Sequence, residues 1–282
     1  MPHRAWQSVF KPALLACCLM LPASAGLAQP RQVASLNLCT DQLLLALADR
    51  RQIASLSRLA RDPEISFLAE RAQSIPISEG SAEPLLFRRP DLVLTGTYGQ
   101  NDQVALLRKQ GLEVLQLGPW SSLEEGRAQI LTLAARLGHP ERGEALVARI
   151  DAALARTRGI VRGSRRVLVY ERGGWVAATS SPLSEILAHL GFTLHQPALG
   201  LDAGGLARLE AVVMAPPDAL LVDSAAQQAI DNSTALLAHP ALAAAVPPER
   251  RLAVPARLTI CGGPSTPAAI EALAEEARGK LR

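Results

Sequence analysis

The stretch Glu83-Pro84-Leu85-Leu86-Phe87-Arg88-Arg89-Pro90-Asp91-Leu92-Val93-Leu94 recurs later in the chain as Glu210-Ala211-Val212-Val213-Met214-Ala215-Pro216-Pro217-Asp218-Ala219-Leu220-Leu221. Glu, Pro and Asp fall at matching positions, and the apolar positions match almost throughout. Each copy reads as one physical unit: a short helix, a proline that cannot continue it, an aspartate, then a buried strand. Helix-Pro-Asp-strand is a common connection taken singly. Carried twice with this spacing, it predicts two similar lobes.

Around the two units, short β-branched or Leu-rich runs alternate with helical patterns, which predicts an α/β protein with mostly parallel strands. Strands are expected over 31–36, 53–56, 91–94 and 112–117, then over 166–170, 220–222 and 251–254. Thr40 or Asp41 reads as the cap of a helix running to Ala48. From Ser121 two long helical patterns follow, parted by Gly138-His139-Pro140. The second, 141 to about 158, sets Ala145, Leu146, Ile150, Ala153 and Leu154 on one stripe. The expected fold is therefore α/β: two Rossmann-like lobes with mostly parallel sheets joined by one long rigid helix. The expected boundaries are 29–140 for the first lobe, 141–162 for the connecting helix and 163–282 for the second lobe.

Residues 1–28 read as a secretory signal peptide. Arg4 and Lys11 precede the apolar run Ala13 to Leu21, and Pro22 and small residues follow. That run falls well short of the about 20 apolar residues a bilayer span needs. Cleavage is expected after Ala28, with Ala25 as the alternative. Leu14-Leu15-Ala16-Cys17 looks like a lipid-attachment box, but the apolar stretch before it is short and interrupted by Lys11-Pro12. The expected product is an exported, periplasmic, monomeric protein.

The charge balance of 29 Lys+Arg against 26 Asp+Glu gives +3, and no basic run is interleaved with aromatics, so nucleic acid is not an expected partner. There is no Gly-rich phosphate fingerprint and no His-Glu-x-x-His. His139, His189, His195 and His239 are dispersed, and only His195 falls near the ligand side of the second lobe. In open parallel sheets ligands bind beyond the carboxyl ends of the strands, so two facing lobes form a cleft lined by strand-end loops. Aromatics are only 3% of the chain, yet Tyr98, Trp120, Tyr170 and Trp175 all fall near expected strand ends. Their flat faces and polar tips suit a large ring-containing or chelated ligand, although each alone also fits ordinary packing.

The order of these features resembles the substrate-binding proteins of ABC importers for vitamin B12, ferric siderophores and haem. The resemblance covers residues 31 to about 280. It rests on Val33-Ala34-Ser35-Leu36 leading into Cys39-Thr40-Asp41-Gln42-Leu43-Leu44, on the two repeat units, and on the single long helix between them. It implies capture of cobalamin or an iron(III) chelate such as a siderophore complex or haem, with no catalysis and no cofactor of its own. It also implies delivery to a membrane permease dimer. In the vitamin B12 members one Glu from each lobe docks onto permease arginines, and Glu83 and Glu210 match those positions. A two-lobed protein meeting a two-subunit permease has an independent reason to carry the same charge on each lobe. The plainer reading is a Glu that favours the first turn of its helix.

Once residues 1–28 are removed, Cys39 and Cys261 remain, each after a strand and from opposite lobes. A disulfide is one reading in an oxidising compartment. Two thiols contacting a metal-centred ligand, or two unrelated small hydrophobes, are the others. Cα atoms more than about 7 Å apart would exclude a bridge. Two further functional classes stay open at this point: an exported thiol enzyme using Cys39, and a two-lobed sensor that presents its ligand to a receptor.

Overall fold

The computed structural model describes residues 1, 3, 29–79, 81–225 and 235–281, so the expected signal peptide, residues 1 and 3 apart, lies outside the described residues. The first lobe holds β1 (Val33–Ser35), β2 (Ile53–Ser55), β3 (Leu92–Gly96) and β4 (Val114–Leu117), all parallel, in the order β2-β1-β3-β4. The second holds β5 (Arg165–Val169), β6 (Trp175–Val176), β7 (Phe192–Leu194), β8 (Gly205–Leu206), β9 (Ala219–Asp223) and β10 (Arg251–Val254). Four of these form a parallel sheet ordered β10-β9-β5-β7, while β6 and β8 make a small antiparallel pair.

Taken from the other edge, the second sheet runs β7-β5-β9-β10. Each four-stranded sheet thus sets its second strand beside its first, then its third and fourth. The duplicated unit supplies the third strand in both. Its aspartate does the same work twice. Asp91 Oδ2 accepts from the backbone N–H of Arg31 and Gln32 at 2.8 and 2.9 Å, and Asp218 Oδ2 accepts from that of Arg166 at 2.7 Å. Each carboxylate ties the start of the third strand to the start of the first.

The helix Leu38–Leu47 is capped by Asn37, whose side chain accepts from the N–H groups of Cys39 and Thr40. The cap therefore falls before Thr40 and Asp41, which lie inside the first turn. The Leu123–Leu137 helix starts at the Ser122 cap and stops at Gly138, which takes the left-handed φ of 86°. The Pro140–Thr157 helix then folds back against it. Gly143 lets the two axes approach: a Cβ there would stand 2.6 Å from that of Ala134. With Thr266–Lys280 these helices join a buried apolar cluster holding Leu44 and Leu94 of the first lobe and Val167 and Leu221 of the second. The lobes therefore share one core along this spine, which stiffens the long connecting helix beyond what its own backbone supplies. No helix among the described residues is long and apolar enough to cross a membrane.

Candidate functional site

A cleft of about 330 Å³ opens beyond the carboxyl ends of β3, β4 and β5. The first helix of each lobe points its N-terminal end into it: Asn37, Cys39, Thr40 and Leu43 from one side, Ser181, Pro182, Leu183 and Ile186 from the other. Gly96, Thr97 and Tyr98 enter from the end of β3, Leu117 to Trp120 from β4, and Leu258 to Gly262 from the second lobe. The volume lies within the range of small-molecule sites, about 300–1,000 Å³.

Cys39 and Cys261 are joined in a disulfide with Cα atoms 5.1 Å apart. It ties the first turn of Leu38–Leu47 to the loop that leads into Thr266–Lys280, and both cysteines line the cleft. The sulfurs are thus committed to each other, and no Cys39 thiolate is present to act as a nucleophile. Two residues on from Cys39, Asp41 is fully buried. It accepts from Ser57 Oγ at 2.5 Å and from the Ser57 N–H at 3.1 Å. Desolvation pushes its pKa up to about 6, against the opposing pull of hydrogen bonds from Ser35 and Ser57.

Trp120 forms one wall. Its Nε1–H donates to Gln129 Oε1 at 2.9 Å, and Gln129 donates in turn to the Gly118 carbonyl at 3.0 Å. Its ring lies between two glycines: a Cβ at Gly126 or at Gly262 would stand 2.2 or 2.4 Å from Cε3. Tyr98 stands 76% exposed at the mouth. Among the described residues the lining contains no His, Met, Lys or Arg, and its one carboxylate is Glu171. Although Glu171 reaches solvent, partial desolvation and then the charge of Asp223 hold its pKa above the ordinary carboxylate range.

Two aromatic expectations need correction. Tyr170 is 0% exposed, packed in the second-lobe cluster with Leu168, Val176, Val212 and Leu220. Its N–H donates to the Leu221 carbonyl and it bridges Val176, so the chain stays extended one residue past β5 and the ring turns inward. It is a core residue, not a ligand contact. Trp175 is half exposed on β6, opposite the exposed Leu206, and lies outside the cleft lining, two residues before Ala177, which is part of it. His195, too, is buried, its Nε2 paired with the Ala215 carbonyl at 2.7 Å. Sequence reasoning missed Leu183 and Ile186; the Ser181-Pro182 helix start was the available signal.

Glu83 and Glu210 sit in the first turns of the Glu83–Arg88 and Leu209–Met214 helices, both exposed. Among the described residues neither carboxylate has a salt-bridge or hydrogen-bond partner.

Two like lobes closing on a strand-end cleft define a solute-binding protein. The chain belongs to the periplasmic binding protein family, whose sequence profile matches residues 33–247. No curated protein sequence matches it. Among solved structures it is similar to the periplasmic heme-binding protein RhuT from Roseiflexus sp. RS-1, with 25% identity and a TM-score of 0.70 over 88% of this chain and 97% of that one. The fold is shared with the periplasmic heme-binding protein BhuT in complex with two hemes, at 23% identity and TM-score 0.67, over 88% of this chain and 99% of that one. It is also shared with a periplasmic heme-binding protein from Pseudomonas aeruginosa, at 21% identity and TM-score 0.69, over 89% and 93% of the two chains.

Proposed function

We propose that this chain is the solute-binding component of an ABC importer, and that the cargo of its cleft is haem. In this reading residues 1–28 direct export to the periplasm, and Glu83 and Glu210 meet cationic side chains on the two permease subunits. Family membership and the heme-binding protein RhuT at 25% identity support the role and the class of cargo.

The observation that carries the ligand is Tyr98. A tyrosine phenolate is one of the groups by which proteins hold haem iron. Tyr98 stands exposed at the mouth of a lining that, among the described residues, holds no His or Met and whose two cysteines are bonded to each other. Trp120, Leu117, Pro119 and Leu183 add flat apolar surface for a macrocycle. Among the described residues no group of three His, Cys, Asp or Glu gathers to hold a bare metal ion, which favours a chelated one.

Cobalamin is the second reading. Among the described residues the lining has no Lys or Arg to pair with haem carboxylates, and a corrin edged with neutral amides needs none. Titrating the purified protein with haemin, cyanocobalamin and a set of ferric siderophores, followed by tryptophan fluorescence, separates these. Saturable quenching by haemin alone is the expected result. Saturation by cyanocobalamin with none by haemin would replace haem by the corrinoid.

A further inference from the structure

We infer that Phe87 and Met214 are a matched pair of apolar anchors, seating this chain on a two-fold symmetric permease beside the carboxylates of Glu83 and Glu210. This rests on the importer reading and extends it from charge to shape. Phe87 is 91% and Met214 84% exposed, and among the described large hydrophobic residues only Met1 is more exposed.

The two positions coincide in the duplicated unit, and the sheets that carry the unit have the same strand order. Within each short helix the matched residues Leu85 and Val212 are fully buried, at 0% exposure, and fix the inward face. Glu83 with Phe87, and Glu210 with Met214, are spaced i to i+4 and so share a face of their helix. All four are exposed. The feature repeated is therefore an acid with a large apolar side chain one turn on. The basic pair Arg88-Arg89 is not repeated, since Ala215 and Pro216 stand in its place.

Two like patches on two like lobes fit a partner that presents one socket twice: a cationic side chain beside an apolar hollow on each of two symmetry-related subunits. A second copy of this chain is a poorer occupant. Its matching patches would bring carboxylate against carboxylate, which opposes association.

The test places a photo-crosslinking amino acid at position 87, at 214, or at Glu83 in the full-length chain in producing cells, with Leu131 as an exposed control on another helix. Adducts are mapped by mass spectrometry. Positions 87 and 214 are expected to capture the same periplasmic loop of one permease polypeptide, and position 131 none. With that permease solubilised in detergent, Phe87→Ala plus Met214→Ala is expected to weaken its binding at least tenfold with no change in melting temperature. Capture of a second copy of this chain, capture from only one of the two positions, or undiminished binding by the double variant would overturn the anchor pair. Capture of the permease from position 83 but not from 87 or 214 would overturn the anchors while leaving the importer reading standing. Failure to capture a permease from any of the three would remove both.

Discussion

The Trp120 ring is seated between Gly126 and Gly262, so an aromatic side chain that follows β4 of the first lobe is clasped by the loop of the second lobe that carries Cys261. Neither glycine has room for a side chain. Gly262→Ala is expected to displace the indole, cost about 1–3 kcal/mol of stability and weaken ligand binding several-fold. Thermal melts and ligand titration check this. In a Trp120→Ala background Gly262→Ala should cost little further stability, because the ring it would strike is gone, while binding stays weak for want of that cavity wall.

The disulfide joins residues 222 apart in sequence. Restricting so long a loop in the unfolded chain stabilises the fold by about 2–5 kcal/mol. Cys39→Ser plus Cys261→Ser, or reduction with dithiothreitol, should therefore lower the melting temperature measurably. Fluorescence of Trp120 should change with it, since the glycine on one side of the ring adjoins Cys261.

Asp41 and Asp218 should respond to pH in opposite directions. Asp41 ionises near 3.8 when unfolded and at about 6 in the fold. Its contribution is fullest below 3.8 and is lost as pH rises through 6, to a total of ~3 kcal/mol. Asp41→Asn should accordingly melt higher than the parent at pH 7 and lose that advantage near pH 4. Asp218 is pushed up by partial desolvation, but hydrogen bonds from the Arg166 backbone and guanidinium, with the charges of Arg166 and Arg165, bring it below its ordinary value. Its stabilisation is present above the ordinary carboxylate value and is lost as pH falls below that value, through the lowered one of the fold. Denaturant midpoints across a pH series of each variant decide both signs.

Asp91→Ala and Asp218→Ala should cost similar amounts, ~1–2 kcal/mol each, since each removes a carboxylate that accepts from the first strand of its sheet. The two losses should add, because the sites share no partner. Urea midpoints of the single and double variants measure it. Unequal costs would mean the two lobes do not use the duplicated unit alike.

That unit was the legible part of the fold. Apolar runs bounded by Pro-Asp mark β3 and β9, and the spacing of Leu146, Ile150 and Leu154 marks the Pro140–Thr157 helix, because burial imposes a period the sequence must carry. The direction of a side chain leaving a strand is not carried in the same way. Tyr170 and Tyr98 both follow strand ends, yet one extra residue of pairing turns Tyr170 into the core while Tyr98 escapes to the cleft. Asn37 took the cap from Thr40 and Asp41 because capping depends on where the backbone leaves its extended state, which composition leaves open. Phe87 and Met214 are apolar positions of the duplicated unit just as Leu85 and Val212 are; only the packed helix separates the exposed pair from the buried one.

The most direct test of the proposed role is an equilibrium titration of haemin, and separately of iron-free protoporphyrin, into the oxidised protein and its Tyr98→Phe variant. The expected result is saturable haemin binding by the parent, at least tenfold weaker binding by the variant, and no difference between them for the iron-free ring. Haemin binding unaltered by Tyr98→Phe, or none in the parent, would contradict a haem cleft built around that phenol.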